Sequence, residues 1–428
     1  MKALKTCVAA IAAVLSFGAA HAESQKILVW HSLDAAHKAI FESFVSQFNR
    51  SQSDVVVELS AAPDDKAMAA GMAQAIKDKR LPHLVQLSDE FAPETVAKDN
   101  RVLPLYELLN KYPIKDVRWF LPQTSGYVRD GRGRLLALPL MAEIPVLFYN
   151  RDLYKKAGLN PDQPPVTWRD LQNQLIALQN AGVQCPYATS RMVWVHQENL
   201  AASNNQPFAS RNNGLDGGRP DLLVNSQLHI RHLAMMTSWV RSSLFTTATF
   251  EDEADSTFAN GDCAVLSSGT GAWAKLDPRK FATGVAPLPR YVEASKEGGM
   301  PLVSGSALWA TSGHSAAEDK ATAQFIAWLV SPTVAAQWHQ QTGFLPLTEA
   351  AARAADVSFY NRIPGAQQVV TQMDRNPSAN SRGLRIPRYQ DVLAILNEET
   401  ALTLRGQKPA MQAQSDAVKR AAAVMSAK

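Results

Sequence analysis

Three cysteines in 428 residues give this sequence little covalent cross-linking to rely on. Cys7 falls in an N-terminal apolar stretch, which leaves Cys185 and Cys263. In an oxidising compartment these either pair or remain two buried thiols. There is no HExxH, no paired CxxC and no cluster of His and Cys at metal spacing, so no metal is expected. No cofactor motif stands out either. Charge of one sign is also missing: 43 Lys and Arg face 39 Asp and Glu, a formal net charge of +4. That balance argues against nucleic acid as a partner and against a strongly anionic surface. No stretch after Ala22 reaches the roughly 18 uninterrupted apolar residues of a spanning helix. Internal repeats and low-complexity tracts are absent.

The first residues read as a removable leader. Met1, Lys2 and Lys5 form a positive start, Cys7 to Phe17 an apolar core, and Ala20-His21-Ala22 a small-x-small cleavage site. The expected product begins at Glu23 and is exported to the periplasm; losing Lys2 and Lys5 takes its charge from +4 to +2. The apolar core is too short to span a bilayer comfortably. Cys7 lies well before the cleavage point, which argues against a lipid anchor. What remains is long enough for two domains.

The stretch around which the chain is organised is Leu135 to Asn150, LLALPLMAEIPVLFYN. Two apolar, strand-forming halves flank Glu143. A lone carboxylate there is costly to bury unless something answers it. Glu143 is either a turn residue reaching solvent or the pivot where the chain crosses between two lobes.

Before it, strands at Gln25–Ser32, Asp54–Leu59 and Pro82–Leu87 alternate with helical spacing at Ala35–Asn49 and Asp65–Lys79. Strand, helix, strand, helix, strand predicts a parallel α/β lobe. Ligands of such sheets sit beyond the carboxyl ends of the strands, where Trp30, His31, Asp65 and Asp89 fall. After it, Thr167 is placed to cap a helix from Trp168 to about Asn180. A helix opens at Arg191 and carries Trp194. A strand at Cys263–Ser267 runs into Ser268-Gly269-Thr270-Gly271, a turn of small residues whose free N–H groups suit a polar or anionic ligand. Gly298–Ala310, with Gly305 at its middle, reads as a second crossing. Gly343-Phe344-Leu345-Pro346 reads as a turn exposing an aromatic. Arg385, Arg388 and Tyr389 precede a helix at Asp391–Arg405. Trp194, Trp273 and Trp309, near the inferred crossings, offer aromatic faces that suit a sugar or polyol beside carboxylates. Catalytic patterns are weak: His196 and Glu198 face apart on a helix, and Gly313-His314-Ser315-Ala316-Ala317 lacks the last glycine of a nucleophile elbow.

Several ordered motifs carry a resemblance over nearly the whole mature chain. They include WHS at Trp30, SGY at Ser125, PVLFYNRDLYKKAGL from Pro145, QPPVTWRDL from Gln163, PFASRNNGLDG from Pro207, FANGDCA from Phe258, WHQQTGFLPLT from Trp338 and GLR from Gly383. On these the chain resembles the extracytoplasmic solute-binding proteins of ABC importers, in the group that includes maltose-binding protein and the glycerol-phosphate binders. The resemblance implies an α/β, two-lobe periplasmic-binding-protein fold (type II) with a hinge and interlobe cleft, and no enzymatic activity. It implies lobes of residues 23–142 with 271–318 and 143–270 with 319–428. The implied partners are a small-molecule ligand and inner-membrane permease subunits with their ATPase.

The implied ligand residues are Asp65, Asp89, Glu143, Trp194, Thr270, Gly305, Phe344, Arg385 and Arg388. Gly305 and Trp194 match the family as they stand. Asp89 replaces Glu, Asp65 and Phe344 replace tyrosines, and Thr270 and Glu143 replace serines. Leu393 falls where a phosphate-clamping arginine is expected, so Arg191, Arg385 or Arg388 must supply that charge. The substitutions make the cleft acidic. The ligand is then glycerol 3-phosphate, a glycerophosphodiester whose cation meets the acids, or a neutral sugar or polyol. A remote alternative is a secreted hydrolase with Asp89 and Glu143 as its carboxylate pair.

Overall fold

The computed structural model describes residues 24–90, 101–120, 128–130, 132–374 and 378–426. The leader and the motif Ser125–Tyr127 lie outside them. Among the described residues eleven strands form two sheets. The first takes β1 (Gln25–His31), β2 (Val55–Ala61), β3 (Leu84–Ser88), β4 (Val102–Leu103) and β5 (Leu138–Glu143). The second takes β6 (Pro145–Asn150), β7 (Tyr187–Thr189), β8 (Phe245–Ala248), β9 (Val265–Gly269) and β10 (Thr283–Pro287). β11 (Ser304–Thr311) returns to the first.

In the first sheet β2, β1 and β3 run parallel, as the alternation of strand and helix predicts. β11 then lies antiparallel to β3, β4 and β5. The crossover helix Ala35–Ser51 starts where Asp34 accepts the N–H groups of Ala36 and His37, satisfying donors that a helix start leaves open. Its Phe41, Phe44, Val45 and Phe48 are buried on one face. Phe44 meets Trp338 edge-on at 5.4 Å and Phe48 meets Phe325 at 5.0 Å. Each such ring, fully buried, contributes about 1.5–3 kcal/mol over an exposed one.

The second sheet has the order β10-β6-β9-β7-β8. Consecutive strands β5 and β6 belong to different sheets, so the chain passes between them at Ile144, one residue beyond Glu143. It passes again between β10 and β11. A third passage separates Ala351, in the first core, from Phe359, in the second.

Two segments sit opposite to expectation. β10, expected in the first lobe, pairs antiparallel with β6 from Thr283↔Asn150 to Pro287↔Val146. The helices Ala316–Leu329 and Pro332–Thr342, expected in the second lobe, bury Phe325, Ile326, Leu329 and Trp338 in the first core. Their apolar faces match the Phe-lined side of the first crossover helix, and that packing decides where they go. Cys185 and Cys263 are paired, with Cα atoms 4.5 Å apart and a sequence separation of 78. Closing a loop of that length stabilises the second unit by about 4–5 kcal/mol on the chain-entropy account. No helix among the described residues is long and apolar enough to cross a membrane.

Candidate functional site

Between the two sheets lies a cavity of about 290 Å³, its mouth included. The first unit supplies Asp89 and Glu90, just past β3, and Ser304, the first residue of β11. The second supplies Arg191, Val193, Trp194, Phe250, Tyr389, Leu393 and Asn397. Asp89 is held by its N–H, which donates to the Gly305 carbonyl at 2.9 Å. Gly305 has φ +115°, and a Cβ there would lie 2.1 Å from the Met141 carbonyl oxygen, so only glycine fits.

Arg191 is the cation of the site. Its backbone is left-handed at φ 47°, an uncommon conformation for a non-glycine residue, and among the nine described residues that adopt it Arg191 is the one that lines the cavity. Its N–H donates to the Glu251 carbonyl at 2.8 Å. Its guanidinium spans both units: one nitrogen bonds Glu143 Oε1, and the other donates to Ser304 Oγ at 2.8 Å. The plane rests on Trp194, 3.9 Å from Cζ to ring centre. Trp194 begins a π-helical turn, Trp194–Glu198, a local irregularity frequent at functional sites. The indole N–H of Trp194 is buried and finds no acceptor among the described residues.

Carboxylates crowd this arginine. Asp89 and Glu90 keep part of their surface on the cavity, yet protein surrounds both. Burial, with Arg191 opposing it, pushes Asp89 up to about 6. Burial and the neighbouring Asp89 push Glu90 up to about 8. Burial pushes Glu198 up to about 7 against a hydrogen bond from the Tyr389 hydroxyl. Burial would lower Arg191, but Glu143, Asp89 and Glu90 more than offset it and raise it.

The expected residues divide sharply. Asp89 and Trp194 line the cavity, and Gly305 shapes it from the adjoining position. Glu143 reaches it through Arg191. Its other oxygen accepts the Gly271 N–H at 3.1 Å, so the turn expected to receive an anionic ligand receives the protein's own carboxylate. Asp65, in the first turn of its helix, accepts the Ser32 hydroxyl and lies outside the lining, close enough to Glu251 to act on its charge. Thr270 lines a different, apolar cavity. Phe344 is not an exposed turn residue: it is buried and stacks on His37 at 4.6 Å. Arg385 and Arg388 are exposed side chains outside the lining. Arg385 docks by its backbone, its N–H on the Asn213 carbonyl at 2.9 Å. Arg388 caps its helix and forks onto Asp391 at 2.7 and 2.9 Å, where solvent lets a charge pair form cheaply. Of the three tryptophans, Trp309 is core and Trp273 lines the apolar cavity. Sequence reasoning missed Glu90, Ser304, Phe250 and Asn397. Leu393, noted where an arginine was expected, does line the cavity.

His83, His314 and Glu318 also converge, with ligand atoms within 4.8 Å of one another. His83 Nδ1 accepts the Leu28 N–H at 2.9 Å, so Nε2 carries the ring proton and faces Glu318 Oε1 at 3.4 Å. That nitrogen has no lone pair for a metal, and Glu318 is already bonded to the Ser315 N–H in a capping box.

The model of the family described as "Bacterial extracellular solute-binding protein" matches residues 43–364. The chain is 34% identical over 416 residues, 96% of it and 94% of the relative, to the sn-glycerol-3-phosphate-binding periplasmic protein UgpB of Yersinia pseudotuberculosis. It is 33% identical over 426 residues to the UgpB of an Escherichia coli strain, covering 98% and 97%. The crystal structure of UgpB from Mycobacterium tuberculosis in complex with glycerophosphocholine superposes with a TM-score of 0.76 at 20% identity, covering 94% of this chain and 98% of that one. Maltose-bound MalE3 of T. maritima gives 0.72 at 19%, covering 94% and 100%. With its two sheets joined by crossings at Glu143 and Ser304 and a charged cavity between them, the chain belongs to the bacterial extracellular solute-binding proteins.

Proposed function

We propose that this chain is the capturing component of an inner-membrane ABC importer. It closes two lobes, one on each sheet, over sn-glycerol 3-phosphate or a glycerophosphodiester and hands it to the permease and its ATPase. Trp194 carries the reading. Its buried indole N–H has no acceptor among the described residues; Trp168, Trp239 and Trp309 share that lack but lie in core, and it is the place of Trp194 in a cavity lined from both sheet units that fits it to a ligand oxygen. Asp89, Ser304 and Tyr389 are the other groups proposed to touch ligand. The relatives that name sn-glycerol 3-phosphate and the neighbour holding glycerophosphocholine support the compound class.

Electrostatics favours the diester. At an effective dielectric near 20, two like unit charges 4 Å apart cost about 4 kcal/mol. A phosphate dianion beside Asp89 therefore needs help. A protonated Glu90 offers an O–H donor to phosphate oxygen, and a cationic head group offers the carboxylates a counter-charge. A neutral sugar or polyol is the second reading, favoured by the same acids beside the Trp194 face.

The reading is capture without turnover. A hydrolase needs Asp89 and Glu143 as a free carboxylate pair, and Glu143 is committed to Arg191 and the Gly271 N–H. Calorimetry on the mature protein with glycerophosphocholine, glycerol 3-phosphate, glycerol and maltose tests the reading. One-to-one binding of a glycerol-phosphate compound is expected. At 100 times its Kd it adds about 2.7 kcal/mol of stability. Product release without stoichiometric binding overturns it.

A further inference from the structure

We propose that Glu143 is a charge gate: by holding Arg191 it keeps the cavity from accepting a phosphomonoester dianion and selects ligands whose phosphate is singly charged and balanced by a cation. The inference rests on the ligand class proposed above and adds which residue decides within it.

Among the described lining residues Arg191 is the one basic side chain. Both of its terminal nitrogens are engaged, one by Glu143 and the other by Ser304, and its plane rests on the Trp194 ring. An arginine paired with a carboxylate has little bidentate capacity left for phosphate. The carboxylate is fixed as firmly as the arginine. Its second oxygen takes the Gly271 N–H, and it sits in a notch that two glycines keep open. A Cβ at Gly269 would lie 2.0 Å from Glu143 Oε2, and one at Gly271 would lie 3.0 Å from it. This turn after β9 is therefore shaped around the Glu143 side chain. Around the pair stand Asp89 and Glu90 from the first unit, and Glu198 and Glu251 from the second. A dianion entering here meets further carboxyl groups, Asp89 foremost, and an arginine already neutralised; a protonated Glu90 can donate to one of its oxygens but supplies no positive charge. A zwitterionic diester brings one negative charge and its own cation.

Removing the gate should change what the cavity accepts. Glu143→Gln keeps the shape and the Gly271 contact while freeing Arg191. Glu143→Ser is the second variant, should the first fold poorly. Titration calorimetry is run on wild type and variants with inorganic phosphate, glycerol 3-phosphate and glycerophosphocholine, with circular dichroism confirming the fold. The expected result is a shift of at least 30-fold in the affinity ratio toward the monoester, with inorganic phosphate binding gained only in the variants. A folded variant whose ratio moves less than threefold and which still ignores inorganic phosphate overturns the gate. Wild type that binds none of the three overturns the ligand reading instead, and the gate is then decided by inorganic phosphate on the variants.

Discussion

Two cavities are reached from one short turn, Gly269 to Gly271, and their chemistry is opposite. Through Gly271 the turn holds Glu143 and so the arginine of the acid-lined cavity. Through Thr270 it lines a second cavity of about 430 Å³, mouth included, with Phe148, Trp273, Val285, Phe359 and Val369 around it. The apolar one is larger, and it also holds a polar atom with no partner among the described residues, Thr270 Oγ1. Size therefore does not pick out the proposed ligand site. What separates them is convergence: in the first, side chains from both sheets aim charge and hydrogen-bonding groups at one point. In the second, apolar groups face one another, with His339 and Tyr360 already bonded together at 2.7 Å.

The largest way to break this contrast is Arg191→Met. It leaves Glu143 and Asp89 without their counter-charge, and breaking such an enclosed pair by removing one partner costs about 3–5 kcal/mol. The variant should lose that stability in urea titration and lose ligand binding altogether. Unfolding at the wild-type midpoint would show that the acid-lined cavity depends on its charges no more than the apolar one does.

Acidity comes next. Asp89, Glu90 and Glu198 have folded values raised to about 6, 8 and 7. Their contribution to stability is full below the unfolded carboxylate range and is lost as pH rises through 6 to 8. The buried histidines run the other way. Burial lowers His196 to about 3 and His229 and His339 to about 4, so their contribution is full above 6.5 and is lost as pH falls below it. The ligand-free protein should therefore melt highest near pH 6–7 and drop by on the order of 5 °C toward pH 8. A cationic diester, meeting ionised carboxylates, should reduce that alkaline loss; a monoester should not. Scanning calorimetry with and without ligand reads both, and a melting point flat from pH 6 to 8 removes the titrating carboxylates from the argument.

Trp194→Phe should act with opposite signs on the two states. The ligand-free protein loses an unanswered donor and gains a little stability or none, while ligand affinity falls roughly 10- to 150-fold, the worth of one hydrogen bond to a charged oxygen. Unchanged affinity would mean that the indole N–H never meets ligand.

How much of this was legible follows from the same contrast. The crossing at Glu143 was readable because one carboxylate interrupts two apolar strand halves, and burial of charge is too costly to be incidental. The helix from Trp168 was readable because Thr167 and Asp170 form a local capping box. Asp89 was readable from its place past a parallel strand. The positions of β10 and of the helices at Ala316–Thr342 were not, since each depends on which distant face has room for it. Arg385 and Arg388 were expected from spacing to a motif, but whether an arginine points inward is settled by a left-handed cap and a surface aspartate. Arg191 was one of three candidates, and its reach to Glu143 and Ser304 crosses 48 and 113 residues of sequence. No local pattern carries that information.

The smallest predicted effect is the most direct test of which cavity matters. Thr270 was expected to touch ligand, yet its hydroxyl is buried beside apolar neighbours with no partner among the described residues. Thr270→Val keeps the volume and removes that hydroxyl. Burying an unanswered hydroxyl costs about 1–3 kcal/mol, so the variant should be at least as stable as wild type, gaining up to about 1 kcal/mol once imperfect relaxation is allowed for. The Thr270 N–H to Ile144 carbonyl bond at 3.0 Å involves backbone alone and persists, so the turn and its grip on Glu143 stay in place. Ligand affinity should then change less than threefold. A larger loss of affinity with stability unchanged would mean that the Thr270 hydroxyl turns toward the acid-lined cavity when ligand arrives, and the separation of the two cavities would hold only for the ligand-free protein.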